Sequence, residues 1–197
     1  MRKLRMVVNV SEKISRISRE IYGHFNEQTG RIINDGIFAG KDSRIPNSNG
    51  VRLDVISAFR EIDAPLLHWP GGGVADSYHW IDGIGPPEER KLSINRWSFA
   101  VDNNHFGTHE FFGLCEEINA KPYLVMNVGS AAVRETAEWL EYITFGGDSE
   151  MTRLRKKNGR EAPWGLEYLC FGNEWWFYEG AAEYAEHYKR FNYFARD

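Results

Sequence analysis

The chain has 197 residues, 42% of them hydrophobic, with a formal net charge of −4. That is enough apolar material for one domain with a core, and it excludes a disordered chain. The balance is mildly acidic with no basic stripe, so no nucleic-acid partner is expected.

Aromatic residues are the unusual entry in the composition at 14%, including seven Trp and nine Tyr. Most of these rings are expected in the core, and some are expected to line a sugar site. The two cysteines, Cys115 and Cys170, fall in apolar periodic segments and are expected as buried free thiols, not a disulfide. No apolar run reaches the roughly 18 residues of a membrane span, and the basic start MRKLRMVVNV lacks a signal-peptide core. A cytoplasmic protein with no membrane partner is the expectation.

In chain order, LRMVVNV (4–10) alternates and reads as a short strand. REIYGHFNE (19–27) reads as a second strand. Residues 51–63 carry a helical stripe of Val51, Leu53, Val55, Ile56 and Phe59. PLLHWPGGG (65–73) is a buried strand stopped by Pro70 and three glycines. Residues 106–120 read as a helix with Thr108 at its N-cap. Residues 121–130 are the next strand and 131–145 the next helix. A strand over 165–174 and a helix over 181–197 complete the series. Strands alternating with amphipathic helices predict a parallel sheet with right-handed crossovers, in four β/α units. The fold class is therefore α/β, either a small doubly wound domain or the first half of a (β/α)8 TIM barrel. Absence of GxGxxG and polar residues at every strand end favour the barrel.

Those strand ends carry the candidate chemistry. Glu174 follows a strand and precedes Trp175 and Trp176; desolvation beside such rings would favour a neutral acid, suited to protonating a glycosidic oxygen. Asn173 can donate to a neighbouring sugar hydroxyl. Glu27 is a second carboxylate, or an acceptor for sugar hydroxyls, with His24 as a possible neighbour. His68, Asp76, His79 and Asp82 crowd the stretch after the second strand, but no compact His/Cys set points to a metal. No cofactor is expected.

The blocks SREIYGHFNEQTGRIINDGIF, IPNSNGVRLDVISAFREIDAPLLHWPGGGVADSYHWIDGIGP, DNNHFGTHEFFGLCEEINAKPYLVMNVGS and RLRKKNGREAPWGLEYLCFGNEWW occur in that order. Together they resemble glycoside hydrolase family 51, the α-L-arabinofuranosidases, from about Ile14 onward. The resemblance implies a retaining hydrolase that removes terminal α-L-arabinofuranosyl groups from arabinan- or arabinoxylan-type oligosaccharides. It places the acid/base at Glu174 and sugar-binding roles at Asn173 and Glu27. Trp97 and His68 complete the expected substrate-binding set. Residues 1–13 would hold one strand of a β-sandwich domain, and residues 14–197 the N-terminal half of the catalytic barrel.

Four departures from the family pattern stand out. His68 replaces an Arg that braces the carboxylates, Gly73 replaces Asn or Cys, and Trp175–Phe177 is bulkier than usual. The resemblance also puts the nucleophilic Glu at the end of a seventh strand, which is not in this sequence. The expected alternative is a non-catalytic remnant that binds sugar, and a less favoured one recruits Glu27 as nucleophile. The whole enzyme would be a candidate homo-oligomer.

Overall fold

The computed structural model describes residues 3–195. Four strands form one parallel sheet in the order β1-β2-β3-β4: His24–Phe25, Leu66–Trp69, Lys121–Met126 and Tyr168–Phe171. Between and after them run α1 (Leu53–Glu61), α2 (Thr108–Ile118), α3 (Val133–Thr144), α4 (Glu150–Lys157) and α5 (Ala181–Tyr193). The spatial order of the strands equals their order in the chain, so successive right-handed crossovers stack their helices on one face. The four predicted β/α units are all present.

The pleat sorts the side chains. Leu67, Trp69, Leu124 and Met126 are fully buried on the helix side. There Trp69 stacks on Phe111 of α2 at 5.0 Å and meets Trp139 of α3 edge-on at 6.1 Å. On the opposite face Phe25, His68, Tyr123 and Tyr168 share one register row across all four strands. That row is only partly covered, and Phe25 is 55% exposed.

Several predicted boundaries shift. No strand forms over 4–10; Val7, Val8 and Val10 are more than two-thirds exposed. A strand needs a neighbour for its N–H and C=O groups, and no described residue pairs there. The second predicted strand, residues 19–27, is a 3-10 turn, Arg19–Tyr22, followed by the two residues of β1. Val51–Arg52 leaves the predicted helix to pair with Asn47–Ser48. The reason is Asn49-Gly50, whose φ angles of 50° and 94° make a two-residue hairpin turn. Thr108 is not the N-cap. Gly107 is, with its N–H donated to Glu110 at 3.0 Å, while buried Thr108 Oγ1 accepts from Trp139 Nε1. The helix predicted to residue 197 is α5, ending at Tyr193; residues 196–197 lie outside the described residues.

α4 was not anticipated, because EMTRLRKK has no apolar stripe. It packs on the core through Met151 and Leu154 alone and is tied down by Arg155, 1% exposed, whose Nη1 donates to the carbonyls of Tyr142 and Phe145 at 2.8 and 2.9 Å. The buried guanidinium thus satisfies carbonyls at the end of α3.

The long connection after β2 is locked to α2 by a second buried guanidinium. Arg90 Nη1 and Nη2 each bond Glu110 at 3.0 Å, with side chains 3% and 8% exposed. Arg90 also donates to the carbonyls of Gly85, Asn104 and His105. Breaking such a pair strands a buried charge. Arg90→Met is expected to lose about 3–5 kcal/mol in urea unfolding. Arg90→Met with Glu110→Leu is expected to recover most of that loss; if it does not, the carbonyl bonds, not the ion pair, carry the effect.

Candidate functional site

The site forms where the strands' carboxyl ends meet the loop after β2. That loop begins with Pro70-Gly71-Gly72-Gly73, and the Trp69–Pro70 bond is cis. Gly71 sits at φ 126°, where a Cβ would also lie 2.6 Å from Glu27 Cα and Cβ. Only glycine lets the chain after β1 pass so close. A Cβ at Gly72 would be 3.1 Å from Glu27 Oε1 and 3.6 Å from Asn173 Nδ2. The bare turn is therefore the floor on which a carboxylate following β1 and an amide following β4 converge.

A cavity of about 690 Å³ opens there, lined by Glu27, Asn173, Glu174 and Trp97, with Thr29, Tyr178 and others. Four of the five expected site residues thus come together. Glu27 Oε1 accepts from the Val74 N–H at 3.4 Å. Glu174 stands just past the strand in the left-handed region, φ 51° and ψ 43°, a conformation unfavourable for a non-glycine residue.

The walls differ from expectation. Glu174 is exposed, not enclosed. Of the two rings expected to desolvate it, Trp176 is itself 68% exposed, as is the next ring, Phe177, at 73%. Trp175 turns the other way and donates its indole N–H to Asp76 at 3.1 Å.

His68 does not line the cavity. Its ring stacks on Phe25 at 4.9 Å and meets the Tyr123 ring edge-on at 4.7 Å. Its buried Nδ1 has no hydrogen-bond partner among the described residues. Burial holds its pKa down, at about 4. At this position the side chain is a packed neutral ring beneath the site, not a brace reaching the carboxylates.

Gly73 has a structural explanation that sequence alone did not supply. A Cβ there would lie 2.6 Å from Trp97 Cε2 and 3.0 Å from Nε1. The Trp97 indole occupies the space of the missing side chain. Buried Asn95 sets the Trp97 loop, accepting from the N–H groups of Trp97 and Ser98 at 3.0 Å and donating to the Gln28 carbonyl at 2.8 Å.

The crowded polar group after β2 disperses. His79 pairs with Glu135 at 3.0 Å, Lys91 with Asp82 at 3.1 Å, and Asp76 turns toward β3 and β4. Sequence reasoning weighed Asp76 only as a metal ligand; its spacing from the glycine turn was the available signal. Cys115 is a buried free thiol, pushed up by burial, whereas Cys170 is only partly buried.

A parallel sheet whose strand ends and following loops bring carboxylates, an amide and an indole around one cleft makes this an α/β protein with its candidate site at the carboxyl ends of the strands. The profile of the α-L-arabinofuranosidase 1 domain matches residues 58–196, and the chain belongs to glycoside hydrolase family 51. It is similar to the intracellular exo-α-L-arabinofuranosidase of Bacteroides ovatus, 48% identical over 92% of this chain and 36% of that protein. It is also 37% identical to α-L-arabinofuranosidase C of Emericella nidulans, over 86% of this chain and 33% of the relative. The chain thus spans about a third of the length of these relatives.

Among solved structures it matches the GH51 arabinofuranosidase of Xanthomonas axonopodis pv. citri with a TM-score of 0.92 and 38% identity. That match covers 95% of this chain and 39% of the other. A Thermotoga maritima α-L-arabinofuranosidase in complex with arabinose matches at TM-score 0.85 and 37% identity, over 92% and 39% of the two chains.

Two buried histidines make stability pH-dependent. His68 and His109 both have pKa values lowered from 6.5 to about 4 by burial. A lowered histidine pKa contributes stability that is complete above 6.5 and lost as pH falls toward 4. Melting temperature should therefore fall between pH 6.5 and 4. His68→Phe should flatten the part between 6.5 and 5, above most carboxylate titrations; an unchanged slope would remove His68 from the account. Gly73→Ala should displace Trp97, seen as a red-shifted, more quenchable Trp emission that is absent when Trp97→Phe is the starting chain.

Proposed function

We propose that this chain carries the arabinofuranosyl-binding part of a retaining α-L-arabinofuranosidase. In this reading Glu174 is the general acid/base, and Glu27 and Asn173 hold sugar hydroxyls. Trp97 offers its face to the furanose ring. The observation that supports it most is the convergence of Glu27, Asn173 and Glu174 on one cavity over Gly72. Protonation of a departing glycosidic oxygen needs an acid within hydrogen-bond reach of it, and the presence of Glu174 in the cavity lining supports that role.

A retaining mechanism also needs a carboxylate nucleophile about 5–5.5 Å from the acid/base. Glu27, Asp76 and Glu174 are the carboxylates lining the cavity. Asp76 already accepts from Asn173, Trp175 and Val128, and Glu27 from Val74. This favours a nucleophile from outside these residues, and it supports sugar binding without turnover as the activity of the chain by itself. The one-way strand order supports reading the chain as four consecutive units of a (β/α)8 barrel. The substrate class is an arabinofuranose-containing oligosaccharide, as the names of the relatives suggest. A cytoplasmic setting accords with the name of the Bacteroides ovatus protein, and no described helix is long and apolar enough to cross a membrane.

The test is calorimetric titration with α-1,5-linked arabinotriose. The chain should bind it, and Glu27→Ala should weaken binding about tenfold, a change of roughly 1.4 kcal/mol. Equal affinity for xylotriose, a pyranose chain of similar size, would sink the arabinofuranosyl reading.

A further inference from the structure

Glu174 has an unfavourable backbone conformation and little packing of its own, so something else must fix it. The residues on either side of it are both tied to one carboxylate. Asp76 Oδ2 accepts the Asn173 backbone N–H at 3.0 Å and the Trp175 indole N–H at 3.1 Å. Its Oδ1 accepts the Val128 N–H at 3.2 Å. The carbonyl of the same residue accepts from Ser130 N and Ser130 Oγ at 3.1 and 3.0 Å. One residue in the turn after β2 thus joins the segments that follow β3 and β4.

We propose that Asp76 is the positioning residue for Glu174, holding its two neighbours so that the left-handed backbone between them aims the carboxylate at the cavity. The inference rests on the reading of Glu174 as a site residue. Charge suits the role. A carboxylate accepting N–H donors makes stronger bonds than a neutral acceptor, and three donors leave little freedom for the turn. Burial pushes the Asp76 carboxyl up while the bonds from Asn173, Val128 and Trp175 pull against that. The group therefore depends on those donors as much as they depend on it. Asp76 lines the same cavity, but three of its roughly four acceptor positions are taken by donors of the protein. Asparagine at this position would turn an NH2 group toward at least one N–H donor and push the turn away.

The experiment is a double-mutant cycle on the whole 197-residue chain, read as arabinotriose affinity by calorimetry with a thermal melt of every variant. Glu174→Ala and Asp76→Asn are each expected to weaken binding about tenfold, and the double variant no more than about twofold beyond Glu174→Ala. Asp76→Glu, which keeps the charge, should recover part of the affinity. A purely structural Asp76 would lower the melting temperature and leave the affinity loss the same in both backgrounds; that additivity, or no loss at all, overturns the proposal. Should Asp76→Asn not fold, Trp175→Phe removes a single donor. Its smaller loss should likewise vanish in the Glu174→Ala background, and persistence there overturns the proposal. Failure of the site reading looks different: the parent chain does not bind arabinotriose, or Glu174→Ala binds as the parent does, and Asp76 then has no site residue to position.

Discussion

The Trp69 indole is the contact on which the rest of the structure depends. It is fully buried at the end of β2, where Phe111 stacks on it and Tyr78, Phe106 and Trp139 meet its edges. Those rings come from α2, α3 and the loops between, so one side chain joins the sheet to the helix layer. Its single polar atom is satisfied too, Nε1 donating to Gln28 at 3.1 Å. Buried aromatic contacts of this kind add to area burial and fix relative orientation. Because Trp69 must face the helices, the pleat turns His68 to the other side of the sheet.

Gln28 carries that constraint to the rim. Its Nε2 donates to the buried Asp102 carboxylate at 3.1 Å, and its carbonyl accepts from Asn95. Asp102 in turn accepts from Asn34 and from the Asn104 N–H. A buried polar network of this type is stable only when each member is satisfied, and it then specifies one arrangement. Here it ties the segment after β1 to the Trp97 loop, which is how a ring far along the chain comes to lie on Gly73. The Arg90–Glu110 pair does the same for the more distal part of that loop. The site is built on loops, but on loops with buried polar anchors.

The four β/α units and the grouping of Glu27, Asn173 and Glu174 at strand ends were legible in the sequence, because apolar periodicity and polar strand ends are local signals; the strand order, which separates a doubly wound sheet from a barrel segment, was not, because it is a long-range property. The Asn49-Gly50 hairpin was equally local and was passed over for a helical stripe that continued through it. α4 was not legible: only Met151 and Leu154 of its residues are apolar partners of the core, and the contact that Arg155 makes with the end of α3 leaves no periodic trace. The role of Gly73 was illegible for the same reason. A missing side chain reads as a lost contact until the ring that fills its place is known. His68 was misplaced because comparison by residue type says nothing about Phe25 and Tyr123, its neighbours across two strands.

Glu174 separates two requirements that the sequence had merged. A catalytic acid must be aimed, and it must be enclosed by surroundings that favour its proton. The stretch Glu174-Trp175-Trp176-Phe177 invited the assumption that adjacent rings do the second job. Trp175 donates its N–H to Asp76 and so belongs to the proposed aim, while Trp176 and Phe177 are largely exposed, Phe177 at the edge of the cavity. Aim is therefore fixed within these residues by backbone conformation and one carboxylate. Enclosure is not: Glu174 itself is exposed, and so are Trp176 and Phe177 beside it.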